Sequence, residues 1–139
     1  MNPRLLILTL FVVGCGPSVR SYSIVVKNES NIPMTVWLTK DGPPPETGWL
    51  SPEQIAMTGR ETDDPISGVI IPPGKTAEIP SITGRFASGT QAVLRVYHGQ
   101  KLFNDLLAAS SGSASRTDVR LTPGPNQILI DASGVVRRQ

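Results

Sequence analysis

Residues 34–40 read Met-Thr-Val-Trp-Leu-Thr-Lys, and this stretch decides the fold class. Its apolar residues Met34, Val36 and Leu38 alternate with Thr35, Trp37 and Thr39, which is the period-two pattern of a β-strand. Residues 22–27 alternate in the same way, and the polar cluster 28–31 between the two runs consists of turn-forming residues. The sequence therefore predicts two antiparallel strands joined as a hairpin.

Proline and glycine divide the rest of the chain into short β-rich runs. Each occurs 13 times in 139 residues, which excludes long helices. The clearest predicted hairpin joins residues 92–97 to residues 101–107, and Pro73-Gly74 and Pro123-Gly124 indicate two similar hairpin turns. Pro80 is expected to end a strand, and residues 82–90 are expected to be irregular, with Phe86 in the core. The predicted strands are 22–27, 34–40, 68–71, 76–79, 92–97, 101–107, 116–121 and 127–130, with 134–138 as a trailing strand or tail.

One helix start stands out among these runs. In Ser51-Pro52-Glu53-Gln54, Ser51 is a capping hydroxyl, Pro52 occupies the first helical position and Gln54 follows three residues after the cap. This pattern predicts a short helix over 52–57. About eight strands at close spacing are typical of a sandwich. The predicted fold is therefore an all-β, antiparallel β-sandwich of two sheets with one short helix inserted after the second strand.

The first 15 residues differ from everything that follows. A short lead with one positive charge, Arg4, precedes a mostly apolar run, and Gly14 precedes the chain's one cysteine, Cys15. This is the form of a signal peptide, and the apolar run is shorter than the roughly 20 residues of a membrane span. We expect a signal peptide over 1–14, a lipidated tether over 15–21, a β-sandwich domain over 22–136 and a basic tail over 137–139.

The residues at the expected cleavage site, Val12-Val13-Gly14-Cys15, resemble the lipobox of bacterial lipoprotein precursors. The resemblance implies that the Cys15 thiol receives a diacylglyceryl group, that the chain is cut before Cys15, and that the new amino terminus is acylated, for example with palmitate. An ordinary secretory signal beside a cysteine is the alternative. In this family a residue other than Asp after the cysteine, here Gly16, implies the outer membrane of a cell that has one, facing the periplasm or the cell surface.

The charge pattern argues against a nucleic-acid partner. The formal net charge is +2, and Lys and Arg are scattered rather than clustered. Arg137-Arg138 is the exception, and we interpret this pair as a solvated tail.

Few residues offer catalytic or metal-binding chemistry. His98, the one histidine, falls in a predicted turn, so no Ser-His-Asp set and no zinc site of the usual nitrogen and sulfur ligands is predicted. Glu61, Asp63 and Asp64 form an acidic cluster with oxygen ligands suited to calcium, but EF-hand spacing is absent and a solvated loop is favoured. We therefore expect no enzyme activity, no metal and no cofactor.

Trp37 and Trp49 are the candidate ligand-binding residues, because aromatic rings stack on sugars in carbohydrate-binding sandwiches. Trp37 lies on the strand face opposite the apolar side chains of residues 34–38, so it is exposed unless both faces are covered. The structural alternative places Trp37 beneath the proline-rich loop 43–45 or against Trp49.

The order of lipobox, short tether, antiparallel sandwich and early helix resembles the small outer-membrane lipoprotein of type VI secretion systems. That family has a transthyretin-like sandwich and holds a membrane-spanning partner. A local similarity to the sandwich domain of the von Hippel-Lindau tumour suppressor rests on residues 28–30, 36–38, 41–43 and Pro73-Gly74. No binding residues are carried over from either family.

The hypothesis from these patterns is a membrane-anchored, non-catalytic envelope lipoprotein whose sandwich binds another envelope protein. The alternative is a glycan- or small-ligand-binding module of the cell surface.

Overall fold

The computed structural model describes Gly14 and residues 16–58 and 68–139, and it confirms the all-β sandwich. The described residues form eight strands in two four-stranded sheets, together with two short helices. No helix among the described residues is long and apolar enough to cross a membrane. The elements in chain order are β1 (Ser18–Asn28), β2 (Met34–Lys40), α1 (Pro52–Met57), β3 (Gly68–Ile71), β4 (Thr76–Phe86), β5 (Ala92–His98), α2 (Phe103–Ala108), β6 (Arg116–Arg120), β7 (Gly124–Ile130) and β8 (Val136–Arg138).

The first sheet, sheet A, has the strand order β4-β1-β7-β8. β1 is antiparallel to β4 and parallel to β7, and β8 closes the sheet as an antiparallel neighbour of β7. Sheet B has the order β3-β2-β5-β6, and all its pairs are antiparallel. Each sheet therefore combines strands that are distant in sequence.

The main core lies between the two sheets. Alternate residues of the central strands point into it. Its largest fully buried side chains include Tyr22 and Ile24 of β1 and Phe86 of β4. Burial of Phe86 confirms its predicted position in the core. Because the two inner faces supply nearly all of these residues, the period-two pattern of the strands accounts for the sandwich.

The predicted hairpin between the first two strands is wrong. β1 belongs to sheet A and β2 to sheet B, so residues 29–33 carry the chain from one sheet to the other. The Asn28 side chain holds this crossing, because its Nδ2 donates to the carbonyl oxygens of Ile32 at 2.9 Å and Ile71 at 3.0 Å. The turns at Pro73-Gly74 and Pro123-Gly124 likewise connect strands of different sheets, so the predicted hairpins there are also wrong.

Pro80 does not end its strand, and residues 82–86 are not irregular. β4 runs through Pro80 to Phe86. Tyr22 is opposite Ile82 and Ile24 is opposite Ile79, so two residues of β4, Pro80 and Ser81, face one residue of β1. This is a β-bulge, and β4 is an edge strand, which are the two settings that tolerate proline in a sheet.

Residues 101–107 were expected to form a strand, and this prediction is wrong. They lead into and form most of α2, while β5 pairs with β2 and β6 instead. Helix α1 has its predicted bounds, and its capping box is present: the amide of Gln54 donates to Ser51 Oγ at 3.2 Å, and the amide of Ser51 donates to Gln54 Oε1 at 2.9 Å.

Both helices cover the outer face of sheet B. Trp37 of β2 and Tyr97 of β5 point away from the main core, and they form a second apolar cluster with residues of the helical layer. These residues are Ile55 of α1, Leu106 of α2 and Ala109, which follows α2, with Leu50 and Phe103 packed against them. The central strands of sheet B, β2 and β5, are therefore buried on both faces, whereas the outer face of sheet A has no such layer among the described residues.

Candidate functional site: the Lys40 cluster and the pocket beside it

Lys40, the last residue of β2, has a nearly buried ammonium group. Its side chain is 3% exposed. Nζ donates to the carbonyl oxygens of Pro44 at 2.8 Å and Arg85 at 2.6 Å, and it forms an ion pair with Glu46. Three acceptors thus match the three donors of the ammonium group, which removes the penalty of an unpaired buried charge.

Two aromatic rings complete what we term the Lys40 cluster, which consists of Lys40, Glu46, Trp49 and Phe86. Lys40 Nζ lies 5.0 Å from the centroid of the Phe86 ring and 5.9 Å from that of Trp49. The two rings meet edge to face at 5.2 Å. Both distances from the ammonium group are within the range of cation–π attraction.

The Lys40 cluster ties the proline-rich loop 41–50 to β4. Glu46 Oε2 accepts from the amide of Arg85 at 2.9 Å, and Oε1 lies 3.3 Å from Arg85 Nε. The hydrogen bond from Lys40, followed by that from the Arg85 amide, lowers the pKa of the Glu46 carboxyl below its ordinary value. The carboxylate is therefore ionised at neutral pH and serves as the counterion of Lys40.

A pocket of about 350 Å³ opens beside this cluster. The proline-rich loop forms one wall, and Ser51 and Gln54 of the α1 start form another. Lys40, Trp49 and Arg95 also line the pocket. The lining residues are mixed in polarity and include Trp49, Gln54, Ser51 and Arg95, so the pocket suits a small polar molecule better than an apolar one.

Arg95 of β5 holds α1 against the sheet. Its Nη1 donates to both carboxylate oxygens of Glu53, at 2.9 Å and 2.8 Å. Burial acts to raise the pKa of Glu53, but the hydrogen bonds from Arg95, from the backbone and from Ser51, together with the charge of Arg95, outweigh it, and the net pKa is lowered. An ionised pair therefore spans the gap between helix and sheet.

Tyr97 lies next to this pair, fully buried below the helical layer. Among the described residues its Oη has no hydrogen-bond partner, and the same holds for Tyr22 Oη in the main core. Burial raises the pKa of the Tyr97 phenol, while the charges of Arg95 and Arg116 act in the opposite direction. The phenol is therefore neutral at physiological pH.

The two candidate tryptophans lie apart, in different clusters, and both are buried. Trp49 is 2% exposed, belongs to the main core, and donates from Nε1 to the Thr83 carbonyl oxygen at 3.1 Å. Trp37 is 4% exposed, belongs to the helical layer, and donates to the Leu50 carbonyl oxygen at 2.9 Å. The Phe103 ring of α2 lies 6.5 Å from Trp37. Neither indole presents an open face for stacking on a sugar, and Trp49 alone reaches the pocket.

The other predicted site residues fall outside these groups. His98 is the last residue of β5, half-buried, on the side of the sandwich away from the pocket. Cys15, Glu61, Asp63 and Asp64 lie outside the described residues. In the described ranges, no group of three or more His, Cys, Asp and Glu side chains lies close enough to hold a metal ion.

Lys40 and Arg95 are not among the site residues that were predicted from the sequence. A signal for Lys40 was present, since it continues the inward-facing series of β2 at residues 34, 36 and 38. A lysine at a core-facing position predicts a buried counterion. No comparable local signal identifies Glu53 as the partner of Arg95, because the two residues are 42 positions apart.

Comparisons with known proteins include a likeness to a solved structure. A scan against models of protein families and a comparison with curated proteins both found no match to this chain. Among solved structures, the chain is similar to Serratia marcescens Lip, a membrane-bound component of the Type VI Secretion System. The TM-score is 0.41 and the sequence identity 13%, over 86% of this chain and 97% of Lip.

Proposed function

We propose that this protein is a lipid-anchored lipoprotein of the bacterial cell envelope whose β-sandwich binds another envelope protein without catalysis. The observation that carries the proposal is the position of Cys15. It ends the lipobox-like stretch Val12-Val13-Gly14-Cys15, and β1 begins at Ser18, only three residues later. An acylated cysteine at this position holds the whole sandwich at the membrane surface.

Exposed apolar side chains on the helical side of sheet B support a protein partner. Met57 at the end of α1 is 86% exposed, and Leu102 just before α2 is 73% exposed. Leu107 of α2 is 36% exposed, and Ile70 of β3, which pairs with the outward-facing Thr35, is 45% exposed. Several large apolar side chains exposed on one side of a small domain favour a protein contact.

The charged groups of the site support a structural role rather than catalysis. Lys40 has three acceptors within its own chain, and Arg95 is paired with Glu53. A catalytic acid, base or nucleophile needs a reactive atom directed at a substrate. In this site the charged atoms are directed at one another.

A small-ligand-binding module of the cell surface is the second candidate. The pocket beside Trp49 favours it, because Trp49 and several polar residues line a volume of about 350 Å³. Trp37 takes no part in that pocket. We rank this candidate second because both tryptophans are engaged in packing and in hydrogen bonds to backbone carbonyls.

The anchor is tested with a Cys15→Ser variant of the full chain. We expect the parent protein in the membrane fraction, labelled by a fatty-acid analogue, and the variant in the soluble exported fraction without label. An unlabelled parent protein in the soluble fraction would falsify the anchor.

The partner is tested by cross-linking in intact cells followed by affinity purification. We expect one dominant envelope protein, lost with Leu102→Asp and Met57→Asp. Val135→Asp is the matched control, because Val135 is 48% exposed but lies in the connection between β7 and β8 of sheet A. Recovery of cell-wall fragments without a protein would instead favour the ligand-binding candidate.

A further inference from the structure

The structure identifies the end of the sandwich that lies nearest the anchor. β1 begins at Ser18, so Cys15 and Ser18 are three Cα–Cα steps apart, at most about 11 Å. Pro17 restricts both its own backbone and that of Gly16, which stiffens this link. This inference rests on the proposed anchor, and it concerns which surface of the domain the membrane touches.

Three loops surround the start of β1. Together with residues 18–20 and the adjoining strand-end residues Lys40, Arg85 and Arg120, they form what we term the anchor pole. Loop 41–50 and loop 87–91 are joined there by backbone hydrogen bonds, from Ala87 to Pro43 at 3.1 Å and from Asp41 to Gln91 at 3.1 Å. The third loop, residues 121–123, lies between β6 and β7. A hydrogen bond from the Leu121 amide to the Ala92 carbonyl oxygen, at 2.9 Å, holds it beside the start of β5. These links make the anchor pole a firm surface rather than a set of free loops.

The anchor pole carries more positive than negative charge. Its described basic residues are Arg20, Lys40, Arg85 and Arg120, and its acidic residues are Asp41 and Glu46. Both carboxylates are turned toward their own chain: Asp41 Oδ1 accepts from the Gln91 amide at 2.7 Å, and Glu46 is the counterion of Lys40. The net field at this end is therefore attractive to anionic headgroups.

An exposed apolar side chain stands beside an exposed basic one at the anchor pole. Val19 of β1 is 69% exposed, and its cross-strand partner is Arg85 of β4, whose side chain is 60% exposed. Val19 is four residues from Cys15, so it is never more than about 15 Å from the anchor. The headgroup layer of one leaflet is roughly 5–8 Å thick. Val19 and Arg85 are thus within reach of the interface.

We propose that the anchor pole docks on the bilayer surface, with Val19 entering the headgroup layer and Arg85 facing anionic lipid phosphates. The opposite end of the sandwich, with residues 29–33, 72–75 and 131–135, then faces away from the membrane. The steps between the 11 residues of β1 are about 3.3 Å each, so the two ends of the strand are roughly 33 Å apart. The helical layer projects sideways and remains open to a protein partner.

The test is depth-dependent quenching with the lipidated protein in vesicles that contain phosphatidylglycerol. Because Cys15 is acylated, one added cysteine is the single reactive thiol, and a fluorophore is attached at Ser88→Cys in the anchor pole or at Ser133→Cys at the far end. Both serines are exposed. Brominated lipids are expected to quench the Ser88 label several-fold more than the Ser133 label. Equal quenching would show that the domain tumbles on its tether and would overturn the proposal.

A charge variant separates docking from simple tethering. Arg85→Gln is expected to lower the quenching of the Ser88 label, because one basic side chain near an anionic surface changes affinity about fivefold. Arg137→Gln is the control, since Arg137 is 67% exposed on β8 and lies outside the anchor pole. If both variants behave like the parent protein, the headgroup contact is overturned. Loss of the protein from the vesicle fraction would instead contradict the anchor itself.

Discussion

The ammonium group of Lys40 lies 5.0 Å from the centre of the Phe86 ring, at the point where the main core meets the proline-rich loop. Phe86 is fully buried, and the Lys40 side chain is 3% exposed. A charge in this position is stable only while its partners remain in place. The Lys40 cluster therefore couples the conformation of loop 41–50 to the stability of the sandwich.

Replacing Glu46 with Gln is expected to destabilise the protein by roughly 1–3 kcal/mol, because Lys40 then loses its counterion while keeping two carbonyl acceptors. Equilibrium unfolding in urea measures the change in free energy. Glu29→Gln is the control: its ion pair with Lys27 is on the surface, with side chains 42% and 56% exposed, and its loss should change stability by less than about 0.5 kcal/mol. Equal effects of the two substitutions would show that the Glu46–Lys40 ion pair contributes no more to the free energy of unfolding than a surface ion pair does.

Stability is expected to fall in acid through the same carboxylate. Hydrogen bonds from Lys40 and the Arg85 amide lower the pKa of Glu46 in the folded state. Its stabilising contribution is therefore complete above the unfolded-state value of about 4.3 and is lost as the pH falls through the lower folded-state pKa. Urea unfolding as a function of pH should show a smaller acid-dependent loss for Glu46→Gln than for the parent protein. Parallel pH profiles would contradict this assignment.

The strand pattern of the sequence was sufficient for the fold class but not for the strand partners. Alternation in residues 34–40 places residues 34, 36 and 38 in the core, as observed. The same alternation contains no information about which strand lies alongside. The prediction paired strands that follow one another in the sequence, whereas β1 and β2 belong to different sheets. What holds the crossing is a set of side-chain hydrogen bonds from Asn28, one of them to Ile71, 43 residues away.

Helix α2 was missed although local signals for it exist. Apolar residues at 102, 103, 106 and 107 follow the helical spacing of three and four, which fits a strand of residues 101–107 less well. The carboxylate of Asp105 accepts from the Leu102 amide at 3.0 Å, as a residue in the first helical turn does. The Arg95–Glu53 pair was out of reach, because its two residues are 42 positions apart.

Gly84→Ala is expected to destabilise the sandwich by roughly 1–3 kcal/mol, because a Cβ at this position overpacks the core. It would lie 2.6 Å from Nε1 and 2.8 Å from Cε2 of the Trp49 ring, which is itself 2% exposed. Near-ultraviolet circular dichroism should report the displaced indole, and thermal unfolding the lost stability. Gly16→Ala is the control, since a Cβ there meets nothing within 4 Å. An unchanged Trp49 signal in Gly84→Ala would contradict the close approach.

Arg116→Lys is expected to loosen the end of α2 more than it destabilises the whole domain. The Arg116 side chain is 8% exposed, and its Nε and Nη2 each donate to one carboxylate oxygen of Asp118 at 2.7 Å. Its Nη1 donates to the carbonyl oxygen of Ala109, the residue that follows α2, at 3.0 Å. Lysine has a single compact ammonium group and cannot bridge both partners with this fork geometry.

We expect a global loss of about 1–2 kcal/mol for this variant. Hydrogen exchange should quicken selectively for the amides of residues 106–109, which depend on the α2 end, while the amides of β1 and β7 keep their protection. Arg120→Lys serves as the control, because Arg120 is exposed at the end of the same strand. If exchange quickened equally in β1, the effect would be global unfolding, and Arg116 would not be the local link between α2 and sheet B.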